Sequence, residues 1–231
     1  MAGNLYLVST PIGNMEDMTF RAVRTLQECD LIAAEDTRHT ALLLQRYDIH
    51  KPLESFHAYN EHNKVAKLIS RIQEGLNVAL VSDAGTPAVA DPGFLPLRAA
   101  LEAGLEPVII PGVSAVTFSV TASGLPVDRF AFWNFVPVKS GRKRKFFEEI
   151  AQCGCTVFCF ESPFRIENTL KLIAEVMPEA QVAVIREATK IHEEVIRGKA
   201  TELAARQARW KGEFVIGICN KTKSRPADDE E

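Results

Sequence analysis

A chain of 231 residues, 46% hydrophobic and 25% charged, has the composition of a globular protein able to form one large domain or two compact ones. Its formal charge is −3, and the acidic end Asp228–Glu231 more than accounts for it, so the body is near neutral and tight non-specific nucleic-acid binding over the whole surface is excluded. No apolar run reaches the roughly 18 residues of a membrane span, and Met1-Ala2-Gly3-Asn4 leads straight into core-strand sequence rather than a signal peptide, so a cytoplasmic location is expected.

Taken in chain order, short apolar runs alternate with helix-period stretches. Leu5–Ser9 reads as a first strand and is followed by the turn Ser9-Thr10-Pro11-Ile12-Gly13-Asn14. Leu31–Glu35 reads as a second strand, followed by Glu35-Asp36-Thr37-Arg38. Residues 63–74 carry Val65, Leu68, Ile69 and Ile72 on one helical face, with Gly75 closing the helix. Val78–Ser82 is the next strand, and its turn is Ser82-Asp83-Ala84-Gly85-Thr86-Pro87, with Asp91-Pro92-Gly93 beyond. A helix over 95–103, ended by Gly104, precedes the strand Pro107–Ile110 and the turn Pro111-Gly112-Val113-Ser114. Strict alternation with strands apolar on both faces predicts a largely parallel sheet between helix layers.

The pattern changes near residue 112. A small-residue helix, Ser114–Ser123, is followed by an aromatic strand, Phe130–Val136, in which Phe132 and Trp133 must point to opposite faces. Val157–Glu161, Val182–Arg186 and Phe214–Cys219 read as further strands, and Val182–Arg186 with His192–Arg197 suggests a hairpin. The expected organisation is α/β in two domains: residues 1–112 form a mostly parallel α/β domain, 113–223 a mixed α/β domain, and 224–231 a disordered acidic tail.

Metal chemistry finds no support. Cys153, Cys155 and Cys159 lack zinc spacing and a fourth ligand, and His39, His57 and His62 have no ligand spacing; reduced, buried cysteines are expected. The informative features are the four turns, all on the carboxyl edge of the first sheet, where open α/β sheets bind ligands. Proline stiffens such turns and glycine admits close backbone approach. Neither a Gly-x-Gly-x-x-Gly fingerprint nor a phosphate loop is present, which disfavours ordinary dinucleotide and ATP sites.

This ordered set resembles the tetrapyrrole methylase superfamily and, within it, the ribosomal RNA small subunit methyltransferase I branch. The resemblance rests on residues 7–14 (LVSTPIGN), 31–40 (LIAAEDTRHT), 78–87 (VALVSDAGTP), Asp91-Pro92-Gly93 and 123–130 (SGLPVDRF). It continues through Glu161-Ser162-Pro163, Arg186-Glu187, Thr189-Lys190, His192-Glu193-Glu194 and Lys211-Gly212-Glu213-Phe214, and spans about residues 4–220. The chain departs from the branch where Phe164 replaces a usual histidine and Asn134 a usual glycine, and the small C-terminal helical module into which many relatives continue is not expected from these 231 residues.

The resemblance implies a homodimer that binds S-adenosylmethionine between the two domains and methylates a cytidine ribose 2′-hydroxyl of 16S ribosomal RNA, free or in the 30S subunit. Carried over by position, Pro11, Ala84, Gly85, Thr86, Ser114, Ala115 and Val116 contact the donor, with Glu161, Ala188 and Phe214 from the second domain. Asp83 or Glu161 offers a carboxylate to the sulfonium. Glu35, Asp36, Glu187 and Lys190 are the candidates for accepting the hydroxyl proton. For RNA, the basic residues Arg38, Arg142, Lys143, Arg144, Lys145 and Arg165 are candidates, with Lys139 and the aromatics Phe132, Trp133 and Phe135 nearby. Two other readings stay open: methylation of a small tetrapyrrole-like acid, and a non-catalytic ligand-binding or ribosome-assembly protein on the same scaffold.

Overall fold

A computed structural model describes residues 2–56, 61–91, 93–208 and 210–220. His57, Pro92 and the tail 224–231 therefore lie outside the described residues, as does the side chain of His62. The chain forms two compact units, Met1–Ser114 and Ala115–Glu231.

In the first unit, β1 (Leu5–Val8), β2 (Leu31–Ala34), β3 (Leu53–Ser55), β4 (Val78–Val81) and β5 (Val108–Ile110) form one sheet in the order β3-β2-β4-β1-β5. Every pairing is parallel, with Leu5 and Leu31 both opposite Val78. Four helices join the strands: α1 (Phe20–Glu28), α2 (Thr37–Arg46), α3 (Glu61–Gln73) and α4 (Phe94–Glu102). Crossovers running from β1 to β2 to β3 and from β3 to β4 to β5 travel in opposite directions, and right-handed connections then put α1 and α2 on one face and α3 and α4 on the other. The cores agree. Ala22, Leu26 and Leu44 pack on Val8, Ile32 and Val81, while Val65, Leu68, Ile72 and Ala100 pack on Leu5, Leu7, Leu31 and Leu80.

The strand β3 was not anticipated. Leu-Glu-Ser is three residues long, half-exposed and paired only to β2, so it carries neither an apolar run nor alternation long enough to read. Gly75 ends the α3 segment at φ +111°, a conformation other residues reach only with strain.

The second unit holds β6 (Phe130–Phe135), β7 (Thr156–Glu161), β8 (Gln181–Arg186), β9 (Glu194–Lys199) and β10 (Phe214–Cys219), in the order β6-β7-β10-β8-β9. Only β6 and β7 are parallel, so the sheet is mixed, and β8 and β9 form the antiparallel hairpin that the sequence suggested. One face is covered by α5 (Ala115–Ser123), whose Phe118 and Ala122 meet Phe158, Ala183 and Val215. On the other face lie α6 (Ser140–Gln152), α7 (Ile166–Val176) and α8 (Ala200–Ala205), which contribute Phe147, Ile150, Leu170, Ile173 and Leu203. Phe132 and Trp133 point to these opposite faces as expected, yet both are packed: Phe132 against Phe160 at 4.9 Å and Trp133 against Phe146 at 5.5 Å. Neither is a free stacking surface.

The β6–β7 register shifts between Phe132 and Phe135, and Asn134 sits in that bulge at φ +54°. Its Oδ1 accepts the Phe135 N–H at 2.8 Å. The left-handed conformation explains why glycine is usual here, and asparagine is the side chain that tolerates it best.

Candidate functional site

Because all five strands of the first sheet run parallel, their carboxyl ends share one edge. The chain leaves β1 toward β2 and leaves neighbouring β4 toward β5, so the reversal of direction falls between β1 and β4, where an α/β sheet opens a crevice. The turns after these strands are laced together. Thr10 and Gly85 exchange backbone hydrogen bonds of 2.9 and 3.1 Å, the Thr10 hydroxyl donates to the Ser82 carbonyl at 3.3 Å, and the Ser9 hydroxyl donates to Thr86 Oγ1 at 3.1 Å. The turn after β5 joins them, since Ser9 N–H donates to the Ile110 carbonyl and a Cβ on Gly112 would stand 2.8 Å from that of Ser9. Pro11 and Gly85 are buried, Thr86 and Ser114 half-buried, and Ala84 exposed. The structure therefore gathers Pro11, Asp83, Ala84, Gly85 and Thr86, with a floor made of backbone and small side chains.

Carboxylates crowd the same edge. Asp83 accepts the Asp36 N–H at 2.9 Å, and Glu35 accepts the Asp83 N–H at 3.5 Å. Burial, reinforced by the charges of Glu35 and Asp83, pushes the Asp91 carboxyl up to about 7. Asp91 was noted in the sequence only as part of a turn; its partners come from two other strand ends, so spacing alone gave no sign of its chemistry. Asp36 serves a different purpose. It caps α2 through Arg38 N–H at 2.8 Å and pairs with the Arg38 guanidinium at 2.7 Å, which holds its carboxyl well below the usual range. A carboxylate so stabilised is a weak base, and the exposed Arg38 is already paired.

A cavity of about 290 Å³ beneath α3 shares no residue with these turns, and its Lys64 and Arg71 are engaged by the Ser55 carbonyl and Glu54.

In the second unit, sheet pairing brings Glu161, Arg186 and Phe214 side by side, because Phe214 is the register partner of both others. Beyond β8, Glu187 (φ +49°) and Thr189 (φ +65°) bend the chain sharply. Glu187 accepts the Glu213 N–H at 2.8 Å and packs where a Cβ on Gly212 would stand. Lys190 binds Glu187 at 3.2 Å and Glu213 at 3.0 Å. Burial opposes the charge of both residues. The hydrogen bonds and opposite charges of Glu213 and Glu187 outweigh it for Lys190, holding its pKa above the usual lysine value, and the Glu213 N–H and Lys190 lower that of Glu187 from its ordinary value. Lys190 is thus tied to both carboxylates. Ala188 lies between these residues, half-buried against the α5 face.

Glu161 is buried, and both of its carboxylate oxygens are engaged. One of its oxygens accepts from Ser162 N–H at 2.6 Å and pairs with Arg165 at 2.7 Å; the other accepts from the Thr169 hydroxyl at 2.6 Å and faces Lys143 at 3.7 Å. Lys143 also donates to Thr169 Oγ1 at 3.1 Å. This corrects two of the RNA candidates. Lys143 shares a helical stripe with Phe147 and Ile150 and is 8% exposed, while Arg165 is tied to Glu161 and to the Val136 carbonyl. Of the remaining basic residues on α6, Arg144 pairs with Glu175 and Lys145 with Glu149, whereas Arg142 is exposed and forms no ion pair with a described residue.

Among the described residues no group of three or more potential metal ligands occurs and no helix is long and apolar enough to cross a membrane. The five cysteines are free, with Cys29, Cys159 and Cys219 buried and Cys153 and Cys155 half-buried.

The family model for tetrapyrrole (corrin/porphyrin) methylases matches residues 4–204. The chain belongs to this family and is an S-adenosylmethionine-dependent methyltransferase with two α/β sheets, one parallel and one mixed. It is 44% identical to ribosomal RNA small subunit methyltransferase I of Halalkalibacterium halodurans, covering 93% of this chain and 75% of that one. It is 40% identical to the protein of that name from Thermotoga maritima, over 95% and 99% of the two chains. Among solved structures, uroporphyrin-III-C-methyltransferase from Thermus thermophilus shares the fold, with a TM-score of 0.63 and 20% identity over 94% of each chain.

Proposed function

We propose that this methyltransferase transfers the donor methyl group to a cytidine ribose 2′-hydroxyl in 16S ribosomal RNA. The observation that carries the reading is the identity of 40–44% over most of the chain with proteins named as methyltransferases of small-subunit ribosomal RNA. The expected location is the cytoplasm and the expected assembly a homodimer.

The edge of the first sheet fits the donor. Pro11, Ala84, Gly85 and Thr86 are assigned to the donor because they bring little side-chain bulk to this edge, and Ser114, Ala115 and Val116, which follow the Gly112 turn, are assigned with them. Asp83, with Glu35 and Asp91 adding to the local negative field, is assigned to the positive sulfonium, since Glu161 has both oxygens engaged inside the second unit. When bound, S-adenosylmethionine supplies a methyl carbon on a strong leaving group, so the protein's main task is alignment, worth up to about 7–11 kcal/mol. We assign uptake of the hydroxyl proton to the carboxyls of this edge, Glu35 and Asp91, because Asp36 is capped and paired and Glu187 is committed to the Glu213 N–H and to Lys190. A base titrating near neutrality adds roughly 10²–10⁴-fold. Ala188 is assigned to a ligand contact of the second unit, and Phe214, whose side chain is buried in the core, to a contact through its backbone.

Methyl-labelled donor incubated with 30S subunits tests the reading. Label is expected in 16S RNA as 2′-O-methylcytidine after nuclease digestion. Label confined to a small tetrapyrrole acid, or none with either acceptor, overturns it.

A further inference from the structure

Phe164 is 94% exposed, an uncommon position for a phenylalanine side chain. It stands in the turn after β7, and β6 is parallel to β7, so the exposed side chains that follow β6 lie at the same end of the sheet. Val138 is one of these, 76% exposed, and Phe135, the last residue of β6 itself, is 55% exposed at the same end. The turn beneath Phe164 is rigid. Its own N–H donates to Ser162 Oγ at 3.3 Å, and the N–H groups of Arg165 and Ile166 both donate to the Ser162 carbonyl at 3.0 Å. Arg165 bridges the buried Glu161 carboxylate and the Val136 carbonyl, tying the two strand ends together. An aromatic ring is thus presented to solvent on a fixed base, which lowers the entropy lost when something flat binds it.

Charge identifies the occupant. Val138 is followed directly by Lys139 and, one helical turn on, by Arg142. Both are exposed and neither forms an ion pair with a described residue, in contrast to Arg144 and Lys145 further along α6. Apolar rings bordered by uncommitted cations suit an unpaired polyanion with flat bases, and stacking together with phosphate contacts is how proteins hold single-stranded nucleic acid.

Resting on the reading of the substrate as ribosomal RNA, we propose that Phe164 is a stacking platform for an unpaired base of that RNA, with Lys139 and Arg142 holding the adjoining phosphates. The side chain where this chain departs from the family pattern then sets how the acceptor strand is gripped.

Binding of the full chain to purified 30S subunits tests this. Phe164→Ala is expected to weaken binding roughly 5- to 150-fold, the range that loss of one stacked base produces, with the affinity for S-adenosylmethionine unchanged. Phe164→His, which keeps a flat ring, is expected to restore most of the loss. Phe164→Trp is expected to bind with its added fluorescence quenched on RNA addition. Arg142→Ala is expected to reduce the salt dependence of binding by about one phosphate contact. If wild type binds and Phe164→Ala binds equally well, the platform is disproved. If Phe164→Ala converts a dimer into monomers in sedimentation, the surface belongs to a second copy of this chain and the proposal also falls. If wild type neither binds nor methylates 30S subunits, the RNA reading fails and the proposal falls with it.

Discussion

The Glu161 carboxylate meets the Arg165 guanidinium at 2.7 Å, with the glutamate side chain wholly shielded from solvent and Lys143 closing the group from α6. One negative charge therefore holds two cations at the end of β7. Removing it leaves both cations short of a partner in a poorly solvated place, the costly way to break a buried pair. Glu161→Ala is expected to lose about 3–5 kcal/mol in urea unfolding. Lys143→Met is expected to lose less, because the carboxylate keeps Arg165, Thr169 and the Ser162 N–H. A loss below about 1 kcal/mol for Glu161→Ala contradicts this account.

Asp91 ties stability to pH. Its carboxyl titrates near 7 in the folded chain, against 3.8 for an unperturbed aspartate, so between these values the folded state binds more protons than the unfolded state. The contribution of this group is therefore present at low pH and lost as pH rises through about 7. Partial exposure of the group screens the effect. Asp91→Asn is expected to exceed wild type in thermal melts by a small margin near pH 5 and by a larger one near pH 8. Equal differences at both values contradict the assignment.

The same cluster bears on the donor. If its charge faces the sulfonium, affinity for S-adenosylmethionine rises through neutrality as Asp91 ionises, while affinity for the demethylated product, which lacks the positive charge, does not. Calorimetric titration of both ligands from pH 6 to 8 checks this, and parallel pH profiles count against it.

At the β6 bulge, Asn134→Gly is expected to leave stability within a few tenths of a kcal/mol, with the φ of +54° favouring glycine and the lost bond to Phe135 N–H opposing it. Asn134→Val is expected to cost about 1–3 kcal/mol, since a β-branched side chain does not tolerate this conformation. Chemical denaturation distinguishes the two, and a neutral valine variant refutes the reading.

Gly212, at φ +97°, lies against Glu187. Gly212→Ala is expected to push Glu187 off the Glu213 N–H and away from Lys190, destabilising the protein. In an Glu187→Ala background part of the stability loss is expected to vanish, because the obstructing carboxylate is gone. Additive losses in the double variant rule out the contact as the cause.

Much of this architecture was legible in the residues. Apolar runs such as Val78–Val81 and Phe214–Cys219 announce strands buried on both faces, and the composition of 82–87 announces the tight turn that is laced to Ser9 and Thr10. What stayed hidden depended on partners distant in the chain. The basic segment 142–145 looks uniform in sequence, yet helical spacing sends Lys143 inward with Phe147 and Ile150, a stripe that periodicity alone was able to reveal. The behaviour of Asp91 was not accessible in that way, because its neighbours Glu35 and Asp83 arrive from other strand ends. β3 was missed because an edge strand of three half-exposed residues owes its existence to β2.

The position of β10 in its sheet bears on biosynthesis. Phe214–Cys219 is made after every other described strand, yet it is inserted between β7 and β8 and hydrogen-bonds to both. A nascent chain therefore has all the strands of its first sheet by residue 110, while the second sheet stays split into two pieces until residue 219 has been made. A frameshift or premature stop shortly before residue 214 would release a product with one foldable half and one open seam, a natural target for proteolytic quality control.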